Sequence, residues 1–331
     1  MKKIAIAGAA HIHTPNFVKT LKGRADFEVA AVWDHDRARA EKYAAELGCP
    51  VRERAEQLWN DPSIDAVVIC SETNRHKELV LAAAAAGKHL FVEKPLGFSA
   101  ADAREMAEAI RRAGVLFQTG YFMRGTPVHQ ALKQLISEGA FGTVTRIRHT
   151  NCHQGSLGGW FDTDYRWMAD PGIAGCGAFG DLGTHSLDIL MWLFGKPERV
   201  VADIRTVTGR YGKDCDETGT ALLKFPGGAT GVLAGGWVDP YHPVSFEISG
   251  TEGGACIFNG ELYVQIPKRN IDGKQPWGPL PEALPHAFVL FLEALNGKPV
   301  PLVSAGEAAD RNVVMEALYA SARDGRWVEV R

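Results

Sequence analysis

No two cysteines in this chain form a CxxC pair, and the six present, at 49, 70, 152, 176, 215 and 256, share no repeated spacing. A zinc knuckle and a disulfide framework are therefore not expected, and a reducing, cytoplasmic setting fits. Also missing is any run of about 18 apolar residues, since even the stretch from Leu79 stops at Gly87 and Lys88, so no membrane span is expected. An excess of charge of one sign is absent too: 36 Lys and Arg face 39 Asp and Glu for a net charge of -3, which gives no basic field for nucleic acid and no acidic tail. There is no internal repeat and no low-complexity tract. The opening MKKIAIAGAA imitates a signal peptide, but its apolar stretch ends at Ala10 and runs into His11, His13 and Pro15, so it reads as a strand and turn.

What remains is 331 residues, 46% of them hydrophobic, enough for two domains of roughly 100–200 residues, each with its own core. Short apolar runs at Lys3–Ala7, Glu28–Trp33, Ala66–Cys70, His89–Val92 and Leu116–Thr119 alternate with helical patterns closed by Gly48, Gly87 and Gly114. That alternation predicts a doubly wound parallel Rossmann sheet over residues 1–121. Past Gly120 the pattern changes to strands with short turns such as Pro226-Gly227-Gly228, which predicts an α/β domain over residues 122–331 built on a large, mostly antiparallel open sheet.

Three features carry chemistry. The loop Gly8-Ala9-Ala10-His11-Ile12-His13 follows the first strand where a dinucleotide fingerprint would place glycines first, third and sixth, and only Gly8 is present. Asp34, 26 residues after Gly8 at the end of the second strand, suits adenosine ribose hydroxyls and opposes a 2'-phosphate, which favours NAD over NADP; Arg37 argues the other way, and a turn or helix-cap role for Asp34 is the alternative. Two imidazoles at 11 and 13 could share an ion, but no carboxylate or third histidine follows at close spacing, so no metal is expected and the histidines read as contacts to phosphate, nicotinamide or substrate. Second, Glu93-Lys94-Pro95 ends a parallel strand, where ligands of doubly wound sheets collect. Third, Asp181 and His185, four apart at the start of an apolar helix, share a face and could flank one hydroxyl; a cap and a core histidine are the alternative.

Together with Asn74-Arg75-His76, the Arg124 segment and the Ile248-to-Gly253 turn, these motifs resemble the glucose-fructose oxidoreductase, inositol dehydrogenase and rhizopine catabolism family along nearly the whole chain. The resemblance implies a Rossmann domain followed by an open-sheet domain whose exposed face makes homodimers or homotetramers, and hydride transfer between a sugar, sugar acid, inositol or other polyol carbon and NAD or NADP. By position, Lys94 matches the active-site lysine, Asp181 its acidic partner and His185 the proton-transfer histidine. Gly8, Ala10, His11, Ile12, His13, Asp34, Ser71, Asn74, His76, Glu93 and Lys94 fall where the cofactor is held. The sequence departs from the family at Ala10 and His13, at Ser71-Glu72 where Thr-Pro is usual, and at Cys176, which interrupts a triple glycine. Arg124, Trp160, Tyr165, Arg166 and Trp237 join Lys94, Asp181 and His185 as candidate substrate contacts, since aromatic faces suit sugar C–H faces and guanidinium suits carboxylates or vicinal hydroxyls. Two other functions fit the same elements: an enzyme that keeps its NAD and uses transient oxidation for elimination or isomerisation, and a sugar sensor without catalysis.

Overall fold

The computed structural model describes every residue except Pro279. The first half runs β1 (Lys2–Ala9), α1 (Thr14–Lys22), β2 (Phe27–Trp33), α2 (Arg37–Leu47), the one-turn α3 (Glu56–Trp59), β3 (Ala66–Cys70), α4 (His76–Ala85), β4 (His89–Val92), α5 (Ala100–Ala113) and β5 (Phe117–Thr119). Its five strands pair in parallel in the order β2-β1-β3-β4-β5. All of Ala66–Cys70 is buried, as a strand covered on both faces must be.

The second half holds α6 (Pro127–Ser137), β6 (Val144–Cys152), α7 (Pro171–Ala174), α8 (Ala178–Phe194), β7 (Arg199–Arg205), β8 (Thr218–Lys224), β9 (Thr230–Gly236), β10 (Val244–Gly250), β11 (Gly254–Phe258), β12 (Glu261–Ile266), β13 (Ile271–Pro276), α9 (Ala287–Leu295), α10 (Ala305–Asp324) and β14 (Val328–Glu329). Nine strands form one sheet, ordered β13-β12-β11-β10-β6-β9-β8-β7-β14, in which only β6 and β9 run parallel. Burial alternates along β8 and β12, so one face packs on α8 and α10 while the other is open. The strands with short turns expected past Gly120 are present, with Pro226-Gly227-Gly228 in the turn between β8 and β9. Among the described residues no helix is long and apolar enough to cross a membrane.

Two late helices pack across the expected boundary at residue 121. Phe288, Phe291 and Leu292 of α9 pack on Phe17 and Phe91, and Ala305, Ala308 and Ala309 of α10 pack with Ala103 and Met106 of α5, so the chain returns to complete the first domain. These helices are apolar on the side the parallel sheet leaves uncovered, and burial of that surface decides their place.

A buried chain of polar groups crosses the second core. His149 Nδ1 meets Ser186 Oγ at 2.9 Å, its Nε2 meets His129 Nε2 at 3.2 Å, and His129 Nδ1 meets Thr126 Oγ1 at 2.7 Å. Burial pushes His129 down to about 4 and His149 well below the ordinary imidazole value. In the unfolded chain both titrate near 6.5, so the unfolded state takes up protons first as pH falls. The stability these residues confer is complete above about pH 6.5 and is lost toward pH 4, at up to about 1.4 kcal/mol per pH unit for each. Urea unfolding at pH 7 and pH 5 should show this loss, and a His129→Gln variant should show a shallower one; equal slopes in both proteins would refute the assignment.

Candidate active site

Gly8 lies one residue before the end of β1, and its φ of +79° and close approach to the end of β3 leave no room for a side chain: a Cβ there would stand 2.4 Å from that of Ser71. Ser71 thus packs behind the loop. Beyond it a cavity of about 360 Å³ is lined by Ala9, Ala10, Arg39, Lys42, Tyr43 and Tyr165 and by the acidic Asp36 and Asp164. Its two cations are matched by two carboxylates, and its phenol rings suit the aromatic part of a dinucleotide. Trp167 reaches from the second domain, donating from Nε1 to the Ala10 carbonyl at 3.1 Å, and stands over His11.

Asp34 is more tightly engaged than its sequence position suggests. Its carboxylate accepts the N–H groups of Ala9 (2.7 Å) and Asp36 (2.8 Å) and both arms of Arg39 (2.7 and 2.8 Å), and Arg39 also donates to Glu72. The cation that bears on cofactor choice is therefore Arg39. Arg37, on the outward side of α2, pairs with Glu41 in solvent.

Lys94 is 3% exposed, and its ammonium donates to Asp181 Oδ1 at 2.6 Å and to the Asp181 carbonyl at 3.3 Å. Burial opposes its charge, but Asp181 and Glu93 outweigh burial and hold it above the ordinary lysine value. For Asp181, burial is likewise outweighed by Lys94, and the carboxyl lies below the usual range. Asp181 Oδ2 accepts from Trp237 Nε1 at 3.0 Å, and Trp237 is fully buried against Phe161. Both carboxylate oxygens are thus taken.

Asp181 does not hydrogen-bond the Nδ1 of His185. His185 Nδ1 has no partner within the protein, and the ring is packed edge-on by Tyr121 and Phe122 instead. Burial, then the nearby Lys94 ammonium, pushes His185 well below the ordinary imidazole value, so it is neutral at physiological pH. Helix α8 carries both residues because Asp216, from the loop before β8, caps its N-terminus through the Gly177 and Phe179 N–H groups at 3.0 and 2.7 Å. That leaves Asp181, in the first turn, free to meet Lys94. The helix lies close on β9: a Cβ on Gly235 would fall 2.7 Å from Gly183 N.

The carboxylate missing beside His11 and His13 is supplied by the fold. Glu93 Oε1 lies 3.0 Å from His13 Nδ1 and 4.0 Å from His11 Nδ1. Ile12 packs at the edge of the Trp237 and Phe161 cluster. Asn74 is exposed in the single turn after β3. His76 is buried, with Nδ1 3.1 and 3.2 Å from the carbonyls of Pro95 and Leu96 and Nε2 3.3 Å from that of Ser71, and it braces the turn that carries Lys94.

Of the candidate substrate contacts, Lys94, Asp181, His185 and Trp237 converge, with Trp237 holding the carboxylate rather than presenting a ring face. Trp160 is half-exposed and stacks near His153, a residue sequence reasoning missed and whose ring feels both Asp181 and Lys94. Tyr165 faces the Arg39 cavity, and the Arg166 guanidinium lies over Tyr211. Arg124 is bound by Asp188 through two bonds of 2.8 and 2.6 Å and by Glu307 at 2.8 Å. Trp167, Phe122 and His153 went unnoticed as site residues; the aromatic density of Trp160–Trp167 was the signal for the first.

Residues 2–121 match the oxidoreductase family with an NAD-binding Rossmann fold, and residues 129–256 match the GFO/IDH/MocA C-terminal domain. The chain is 30% identical over 275 residues to the scyllo-inositol 2-dehydrogenase (NAD(+)) of Bacillus subtilis strain 168, covering 79% of this chain and 74% of that one. It is 28% identical over 311 residues to the 1,5-anhydro-D-fructose reductase of Ensifer adhaerens, covering 92% and 91%. A crystal structure of an NAD binding oxidoreductase from Klebsiella pneumoniae superposes with a TM-score of 0.78 at 26% identity, over 100% of this chain and 99% of the other.

Proposed function

The chain belongs to the GFO/IDH/MocA oxidoreductase family, and on that premise we propose that it is an NAD-dependent dehydrogenase acting on a secondary alcohol of a sugar, sugar acid, inositol or related polyol. The observation that carries this reading is the pair formed by a buried ammonium fixed on Asp181 and a neutral imidazole with a free nitrogen.

The loop from Gly8 to His13 and the Arg39 cavity fit the dinucleotide; when bound, its nicotinamide accepts or returns the hydride. The protein's own residues handle the proton. Two of the three Lys94 N–H groups point at Asp181, which leaves one for the substrate oxygen, and a cation there stabilises a developing alkoxide. Neutral His185 accepts the hydroxyl proton at Nδ1 or Nε2, held by the Tyr121 and Phe122 rings rather than by a carboxylate. Trp237 keeps Asp181 turned toward Lys94. The test is a panel of polyols, aldoses and sugar acids offered with NAD to the purified protein, followed by NADH absorbance. Accumulating NADH supports the reading. Turnover without net NADH would favour the enzyme that retains its cofactor, and NAD binding without turnover the sensor.

We expect kcat/KM to be higher with NAD than with NADP, because Asp34 opposes a 2'-phosphate. Arg39 is the group that would receive that phosphate. Arg39→Ala should lower kcat/KM for NADP by about tenfold, the value of one charged hydrogen bond, and change it little for NAD. Equal or better efficiency of the parent enzyme with NADP would reject the preference. We also read the open face of the nine-stranded sheet, where Leu222 and Phe258 are exposed, as a homodimer or homotetramer interface. Light scattering at micromolar concentration tests it, and a monomer removes it.

A further inference from the structure

The turn between β1 and α1 and the end of β4 meet at a group of side chains that proton transfer at Lys94 and His185 does not use. We propose that His11, His13 and Glu93 form a binding site for one divalent ion of the zinc type, held by two imidazole nitrogens and one carboxylate oxygen.

One ring nitrogen each of His11 and His13 and one Glu93 oxygen lie within 4.8 Å of one another, and Glu93 Oε1 is 3.0 Å from His13 Nδ1 and 4.0 Å from His11 Nδ1. An ion about 2.0–2.2 Å from each of three tetrahedral donors needs them roughly 3.3–3.5 Å apart. The two distances to Glu93 lie on either side of that value, so small side-chain rotations bring the carboxylate into range of both rings. No other pair of histidines in the described residues shares a carboxylate in this way.

Glu93 is fully buried, and among the described residues the side chains paired with its carboxylate are the two imidazoles, while the Lys94 ammonium that also acts on it is hydrogen-bonded to Asp181. A divalent ion between the imidazoles and Glu93 adds positive charge at the oxygen that Lys94 does not touch.

Glu93 Oε2 accepts the Lys94 N–H at 2.9 Å, which turns Oε1 toward the histidines, and Gly120 leaves the space the carboxylate needs, since a Cβ there would lie 2.7 Å from Oε2. His11 is buried beneath Trp167, with its Nδ1 lone pair already turned inward to accept a 3.3 Å bond from His13 N–H. His13 is one-third exposed and lines a cleft of about 630 Å³ with Phe122 and His286. The remaining coordination positions therefore face an opening, in the manner of two-histidine, one-glutamate zinc sites. On binding, each nitrogen lone pair passes to the ion, the His13 proton moves from Nδ1 to Nε2 so that the ring stays a neutral ligand, and no electron changes hands.

The site stands on these residues whether or not the chain is a dehydrogenase. Full-length protein stripped with a chelator is titrated with Zn²⁺ by calorimetry and with Co²⁺ by visible absorption. One equivalent should bind, with the intense bands of low-coordinate cobalt, and His13→Asn and His11→Asn should each weaken binding by about tenfold or more. Should the His11 variant fail to fold, the half-exposed His13 variant decides. Absence of saturation at one equivalent, or unchanged affinity in a folded His13→Asn protein, overturns the proposal. NAD binding by the stripped protein, read from tryptophan fluorescence, is scored separately, so failure of the ion site and failure of the dehydrogenase reading give different results.

Discussion

Lys94→Ala will lower kcat by about 10²- to 10⁴-fold, and His185→Ala by a loss in the same range, with NAD affinity nearly unchanged. The two side chains serve one oxygen from two domains. Lys94 sits at the end of β4 and is pinned by Asp181 of α8, so its charge is in place before substrate arrives. The energy of arranging it is already part of folding. His185 is neutral because burial and the Lys94 ammonium disfavour its protonated form, and that is the state a base requires. Single-turnover measurement separates the hydride step from release, and fluorescence titration checks that the cofactor still binds. Wild-type kcat in a folded His185→Ala protein would eliminate that residue as base; wild-type kcat in both variants would end the catalytic assignment.

Asp188→Asn should destabilise the protein by about 3–5 kcal/mol while sparing kcat. Asp188 is 1% exposed, three residues beyond His185, and holds two guanidinium groups: Arg124 at 2.6 and 2.8 Å and Arg311 Nε at 3.0 Å. Neutralising it leaves Arg124 to the Glu307 carboxylate at 2.8 Å and Arg311 to the Glu307 carbonyl at 2.9 Å. Removing one member of a buried charge cluster costs more than the cluster contributes when whole, because its partners stay desolvated. Denaturant unfolding reads the stability, and a loss below about 1 kcal/mol would show that water or rearrangement compensates. A fall in kcat without a fall in stability would return Arg124 to the substrate site.

The parallel sheet was legible because its strands are continuous apolar runs punctuated by glycines, a local signal that depends on no distant contact. Lys94, Asp181 and His185 were legible for a related reason, since each sits at an element end or on one helical face. Their wiring was not. That Asp181 turns to Lys94 and Trp237 depends on Asp216 capping α8 from a loop 35 residues further along the chain, and nothing near Asp181 announces it. The same holds for Glu93 beside His11 and His13: adjacency across parallel strands is fixed by strand order, which a linear pattern does not state. Arg39 went unnoticed because a guanidinium two residues past Arg37 looks equivalent until the helix turns one inward and the other out. Strands β11 to β14, of two to six residues, lie toward the sheet's edges.

Helix α10 gives the molecule a mechanical character. Its first turns lie in the core of the parallel domain, through Ala305, Ala308 and Ala309, and its later turns lie in the core of the open sheet, through Val314 and Leu318. A helix of 20 residues is about 30 Å long and stiff, so it acts as a strut cast into two foundations. Rotating one foundation against the other would shear apolar contacts out of one of them, so hinge closure is an expensive motion for this chain. The span that carries Trp160 and Trp167 is built differently, from turns and a single short helical turn, and leans on the first domain at the Ala10 carbonyl. Substrate exchange should therefore respond to substitutions in that span more than to substitutions at the domain junction.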